Sequence, residues 1–207
     1  LAGFAALITA IAALLLSYAA RRNRDLTTRV GVRIATIGYA LPGPVLAVGV
    51  FVAIAWLDRT RLQLLQPVMQ IEAGMLLQGS LLIMLVAYMA RFMAVGFNPV
   101  DSAMQRLPLS LDDVSRTLGV GSLTMLRRVH APILRGGMVT ALILVFVDVM
   151  KEMPITLMTR PFGWDTLAVR IFEMTSEGEW ERAALPAVTL VLVGLLPIIF
   201  LSRHGNV

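Results

Sequence analysis

Four stretches of this chain carry no charged side chain over eighteen residues or more: Leu1–Ala20, Ile34–Leu57, Ala73–Ala90 and Ala183–Ser202. Each approaches or exceeds the roughly 18–20 apolar residues that cross the hydrocarbon of a bilayer as a helix. A fifth run, Gly136–Val147, is shorter and reaches spanning length only if the charged segment Asp148–Glu152 lies near the membrane surface. Lipid offers no partner to a free backbone N–H or C=O, so each span must be helical. The expectation is an all-α, polytopic transmembrane bundle of about five spanning helices, forming one domain over residues 1–207. Composition agrees: 57% of residues are hydrophobic and 15% charged, against about 25% charged in soluble domains.

The first run does not read as a signal peptide. No basic residue precedes it and arginines follow it. A chain that starts on Leu1 inside an apolar run is expected to be the C-terminal part of something longer.

Arginine and lysine set the orientation. With Arg21–Arg33, Arg91–Arg135 and Arg203 on one side, that side holds 12 of the 18 basic residues and four of the 13 acids, for +8; the other side carries −3. The positive-inside rule places the first side in the cytoplasm. Residues 96–134 are then a cytoplasmic loop, and the excess of basic residues reflects topology and calls for no nucleic-acid partner.

Within that loop, Asp112–Pro132 reads as two short helices. Ser110 is placed to cap the first, with Asp113 in the capping-box position. Leu111, Val114 and Leu118 share a face, and Gly119 and Gly121 end the helix by allowing positive φ. The second helix starts at Ser122, with Leu123, Leu126 and Val129 inward and Arg127 and Arg128 outward. Pro132 marks the next break. Three functions fit such a segment. It could be a basic loop that only sets topology. It could be a helix-turn-helix of a membrane-tethered DNA-binding regulator, although spans tie it at both ends. Or it could be an amphipathic element that docks into a partner's groove.

The spacing of the loop resembles the E-A-A, three residues, G, nine residues, I-x-L-P pattern of inner-membrane permeases of ABC importers. Asp113, Val114 and Ser115 stand in the E-A-A places, Gly119 at the glycine, Val129 at the isoleucine and Pro132 at the proline; Val114, Ser115 and Ala131 are the larger departures. "YALPGPVLAVG" (39–49), "ARFMAVGFNPVDSAMQRLP" (90–108) and "VFVDVMKEMPITLMTRPFGWDTLAVRIFEM" (145–174) are most similar to the C-terminal half of ferric-iron permeases. Permeases for thiamine, polyamines, sulfate, molybdate or phosphonates share the architecture. The resemblance implies that 96–134 is a coupling loop engaging a separate ABC ATPase subunit, with Leu111, Asp113, Val114, Ser115, Leu118, Gly119, Val129 and Pro132 at or near the contact. It implies further partners: an external or periplasmic substrate-binding protein, and a first permease half, fused or a second copy. ATP and magnesium would sit on the ATPase; this chain is expected to bind no cofactor and to lie in the inner membrane as a multi-pass protein. It carries no G-x-x-x-x-G-K-[ST] phosphate loop.

Candidate path or gate residues come from two places. Pro42, Gly43 and Pro44 interrupt the second run; they read either as a structural kink packed against neighbouring helices or as irregular backbone that lines a cavity at membrane depth. Asp148, Lys151 and Glu152 crowd the outer end of the fourth apolar segment. They read either as an interfacial ion pair of Asp148 with Lys151 or as a lining of the path. Two acids around a lysine make a poor cage for a hard cation, so no metal site is expected. The acids of 165–181 read as solvated, with Trp164 and Trp180 at the interface. With no cysteine, two histidines and no oriented nucleophile–base pair, the chain does not read as an enzyme.

Overall fold

A computed structural model describes residues 1–23, 25–69 and 77–204. Every regular element in it is helical: α1 (Ala2–Arg22), α2 (Leu26–Thr36) with a 3₁₀ turn Ile37–Ala40, α3 (Gly43–Met69), α4 (Leu81–Gln105), α5 (Ser110–Thr117), α6 (Ser122–Met125) running through a π turn Leu126–His130 into α7 (Ala131–Ile133), α8 (Arg135–Met150), α9 (Pro154–Thr159), α10 (Leu167–Ser176) and α11 (Trp180–His204). Four stretches are long and apolar enough to span a membrane: Ala2–Arg22, Gly43–Thr60, Leu81–Gln105 and Trp180–Leu201. Ser122–Ile133 and Arg135–Met150, bent by 76° at their junction, make a fifth if taken together.

The centre is a three-helix core of α1, α4 and α8. α1 turns a face of small residues inward: Ala5, Ala6, Thr9, Ala10, Ala13 and Ser17 are buried, whereas Phe4, Leu7, Ile11 and Leu15 point out. In lipid there is no hydrophobic drive between helices, so close backbone approach through small residues is what holds them together. α4 supplies the large side chains that fill the core, Tyr88, Phe92, Phe97 and Val100, and α8 adds Ala141, Val145 and Val149. Gly96 sits where the three helices meet; a Cβ there would lie 3.3 Å from Thr9 and 3.4 Å from Val145.

Two expected spans shift. The third was read as Ala73–Ala90, of which residues 73–76 lie outside the described residues; the helix is Leu81–Gln105 instead. Arg91, expected at its cytoplasmic end, is therefore about 15 Å along a helix about 37 Å long. The inter-helical segment accordingly begins at Arg106 rather than at residue 96. The arginine-rich end keeps eleven arginines against four aspartates, net +7, so the charge asymmetry survives the move.

The second span is not one helix either. From the arginine-rich end, α2 and its 3₁₀ turn run along α4 until Gly38 meets Ala90. The chain breaks at Leu41–Pro42 and resumes as α3. Past the middle of α3, buried Asp58 accepts hydrogen bonds from the Leu77 and Gln78 amides, tying α3 to the residues just before α4.

The Gly38 contact is tight enough to test. A Cβ there would stand 2.1 Å from the Ala90 carbonyl oxygen, a backbone atom that cannot swing away. Gly38→Ala is expected to lower stability by roughly 1–3 kcal/mol, the usual range for overpacking. Gly49→Ala, where a Cβ meets open space, should be neutral in the same thermal melt of detergent-purified protein.

Candidate functional site

At the arginine-rich end, α5 is amphipathic in an inverted sense. Its buried residues are Asp112 and Ser115, while Val114 is 56% and Leu118 75% exposed. Leu111 is half-buried. Two polar residues pack on the protein's own chain, and Val114 and Leu118 face away from it beside Asp113 and Thr117.

The cause is the last turn of α1. Arg21 Nε donates to Asp112 Oδ2 at 2.7 Å. Its Nη1 donates to the Met104 and Leu107 carbonyls at 2.8 and 3.0 Å, and Nη2 to the Pro108 carbonyl at 3.0 Å. One guanidinium thus ties together carbonyls from the last turn of α4 and the segment after it, and fixes α5 through a charge-assisted bond. The other Asp112 oxygen lies 2.9 Å from Nε2 of His130, a wholly buried ring. Burial opposes ionisation of Asp112, but the bonds from Arg21 and then His130 outweigh it, and the carboxyl titrates below its usual range. Tyr18 packs its ring on His130 at 5.4 Å and donates to the Ser122 carbonyl at 3.1 Å. Arg22 bonds the Ser122 hydroxyl. α1 therefore clamps the end of α4, all of α5 and the start of α6.

Of the residues read from the loop pattern, Asp113, Val114, Leu118, Gly119 and Pro132 are exposed, Leu111 and Val129 half-buried, and Ser115 buried with its hydroxyl on the Leu111 carbonyl at 2.8 Å. Gly119 has φ +71°, the left-handed turn expected of it. Gly121 does not; at φ −66° it precedes α6 as its N-cap. Ser110 is the first helical residue rather than the cap, because Asp112 and Asp113 already bond back to the Leu109 carbonyl. Leu126 is buried as expected, but Leu123, also expected inward, is 66% exposed and Met125 is buried in its stead. Leu109, Val114, Leu118 and Leu123 are thus exposed together along this segment. Pattern reading missed Asp112, Arg21, Tyr18 and His130. A carboxylate and an arginine 91 positions apart leave no local signature.

A second cluster forms about halfway along α4. Arg91 Nε donates to Glu152 Oε2 at 3.0 Å, and Nη1 to the Leu41 carbonyl at 3.1 Å, a group beside the Pro42 break. Glu152 is buried and caps α9 by accepting from the Ile155 amide at 3.2 Å. Thr156 donates to the Glu152 carbonyl and shares a hydrogen bond with Tyr88. Gly43 is glycine for a local reason: a Cβ would lie 3.2 Å from Arg91 Nη2. The guanidinium carbon also sits 5.6 Å from the centre of the Phe92 ring.

The structure therefore brings Pro42, Gly43 and Glu152 to one point around Arg91, which the sequence reading had placed elsewhere. The three stretches that carry the family resemblance meet there, "YALPGP" through Leu41, "ARFMAVG" through Arg91 and "VMKEMP" through Glu152. Pro44 is exposed, and Asp148 with Lys151 forms a separate i, i+3 pair at 2.7 Å whose lysine faces outward. Among the described residues no three acidic or histidine side chains converge on a position that could hold a metal ion.

At the acidic end, Asp165 and Glu173 are not simply solvated. Arg160 bonds both, and Arg170 lies within 3.8 Å of Asp165 and 3.5 Å of Glu173. Phe162, Trp164 and Trp180 are exposed around them, the amphipathic belt expected where a helix bundle leaves the hydrocarbon.

Residues 5–204 match the protein family described as binding-protein-dependent transport system inner membrane component. The chain is 34% identical over 127 residues to a putative 2-aminoethylphosphonate transport system permease protein, PhnV, of Salmonella paratyphi A, covering 61% of this chain and 48% of that protein. The protein of the same description from Salmonella typhimurium is 33% identical over the same length. Over 206 residues, 99% of this chain and 37% of the other, it is 25% identical to the Fe(3+)-transport system permease protein FbpB 2 of Haemophilus influenzae. The chain spans about half or less of the length of these curated relatives.

Proposed function

The chain belongs to the family of inner membrane components of binding-protein-dependent transport systems, and on that premise we propose that it is one permease half of an ATP-driven importer in which α5 is the coupling helix. Members of the family are transport components rather than enzymes, and this one is a multi-pass inner-membrane protein. In the proposed arrangement residues 106–134 lie in the cytoplasm. Leu111, Val114, Leu118 and Gly119 enter a cleft of a separate ABC ATPase, which holds the ATP and magnesium. Asp113, Val129 and Pro132 flank the contact, and buried Ser115 lies on the side away from it. An external binding protein delivers the solute at the acidic end. The other permease half is supplied by a fused segment or a second copy.

One observation carries the reading: α5 buries Asp112 and Ser115 and exposes Val114 and Leu118. An apolar face turned away from its own chain suits a helix laid into a partner's groove. Gly119→Val tests it. At φ +71° a β-branched residue is strained, although no neighbour stands within 4 Å of the Cβ position. The spans should remain folded while binding-protein-stimulated ATP hydrolysis falls.

The cargo we propose is ferric iron. The similarity to the Fe(3+)-transport permease runs through nearly the whole chain, including residues 145–174. The higher identity to the phosphonate permeases over a shorter stretch favours 2-aminoethylphosphonate as the second reading. Pro42, Gly43 and Glu152 around Arg91 would form a gate, with Pro44, Asp148 and Lys151 at its edge. Uptake of radiolabelled iron and of 2-aminoethylphosphonate by cells with and without the full system separates the two. Loss of iron uptake alone supports the first; loss of phosphonate uptake alone replaces the cargo and leaves the importer reading intact.

A further inference from the structure

A cavity of about 640 Å³ opens between α1, α2 and α4 at the arginine-rich end, bordering the start of the α5 segment at Leu109 and separate from the Arg91 cluster. Its apolar lining includes Val32, Phe97 and Leu107, and its basic rim is Arg29 and Arg33 of α2. The two arginines are four apart and therefore neighbours on one helix face, where like charges repel. Both are exposed, and among the described residues neither has an ion pair or a side-chain hydrogen bond. Arg21 also reaches the cavity but is committed to Asp112 and three carbonyls. Asp101 faces it too, held by the Ser17 hydroxyl at 3.1 Å and the Gln105 amide at 2.5 Å.

The inner face of the same helix, with Val32 and Ala35, packs on the core, while its outer face is apolar and exposed. Leu26, Val30, Ile34 and Ile37 form an exposed stripe along α2 and its 3₁₀ turn. A basic rim over an apolar floor, next to an exposed apolar stripe, is complementary to a molecule with an anionic head and a hydrocarbon tail. We propose that this cavity is a binding site for an anionic phospholipid. Its phosphate bridges Arg29 and Arg33, and its acyl chains lie along the stripe. Two guanidinium forks can each present paired N–H donors to phosphate oxygens, and an anion between them removes their mutual repulsion. The acyl chains cover surface that would otherwise face disordered lipid or detergent.

The test is lipid retention by the intact permease complex in nanodiscs of mixed phosphatidylglycerol and phosphatidylethanolamine, read by native mass spectrometry after release. Wild type should retain phosphatidylglycerol in preference to phosphatidylethanolamine. In Arg29→Gln/Arg33→Gln the preference should fall by about thirty-fold, from the loss of two near-surface charges. Arg29→Lys/Arg33→Lys keeps the charge and should keep most of the preference. Unchanged retention in the glutamine variant overturns the proposal, as does equal retention of the two lipids by wild type, or loss in the lysine variant as complete as in the glutamine one. Displacement of the lipid by an equal concentration of soluble glycerol phosphate also overturns it, because the site would then recognise free phosphate and not a lipid.

Discussion

Glu152→Ala is expected to destabilise the purified permease by about 3–5 kcal/mol, the usual cost of removing one partner from a buried ion pair. The change leaves the Arg91 guanidinium in the middle of α4 with a single carbonyl partner, Leu41, and removes the cap from the Ile155 amide. Arg91→Ala should cost a similar amount, since it leaves the buried Glu152 carboxylate without its counter-charge, holding the Ile155 amide alone. The double variant Arg91→Ala/Glu152→Ala removes both charges at once, so neither is left unpaired. It should be markedly more stable than the sum of the two single losses predicts, because residues in one network do not add. Thermal melts of the four proteins in one detergent measure this. Additive losses would mean that the two side chains act independently and that the junction is not a unit.

Asp112→Ala should release α5 from α1. Arg21 would keep its three carbonyls, but His130 would lose the partner of Nε2 in a fully buried site, and leaving a buried polar group unsatisfied costs about 1–3 kcal/mol. Amide hydrogen exchange over residues 110–118 should quicken strongly while α1 and α4 stay protected. The pH dependence follows from the depressed Asp112 carboxyl. Its folded value lies below the unfolded one, so its contribution is complete above the ordinary carboxylate value of 3.8 and is lost as pH falls through the lower, folded value. Protection of α5 should therefore be flat from neutral pH down to the carboxylate range and fail only in acid. Failure beginning near neutrality would assign the control to another group.

The spans were legible because bilayer thickness imposes a length that any uncharged run reveals. That logic misplaced the third span. Arg91 looked like a terminus, but Glu152 and the Leu41 carbonyl let an arginine sit inside the helix, and both lie far away in sequence. The Gly119 turn was legible because a local backbone need selects glycine. The apolar period of Leu111, Val114 and Leu118 was also readable, although a period cannot say whether a face points at its own chain or at a partner. That is decided by Arg21, which draws Asp112 inward. Asp113 matched the family pattern and is exposed, whereas its neighbour Asp112 does the anchoring. Leu123 was misread inward for the same reason: Tyr18 and Arg22 grip Ser122 and set the rotation of the helix that follows.

Coupling through α5 requires a partner over its exposed side. A photoreactive p-benzoylphenylalanine at Leu118, in the intact complex in its native membrane, measures this directly. The same label at Phe172, an exposed residue of α10, is the reference. The account predicts an adduct with the ATPase subunit from position 118 and none from position 172. No ATPase adduct from 118 in a complex where that subunit still co-purifies, or an adduct from 172 instead, would contradict it.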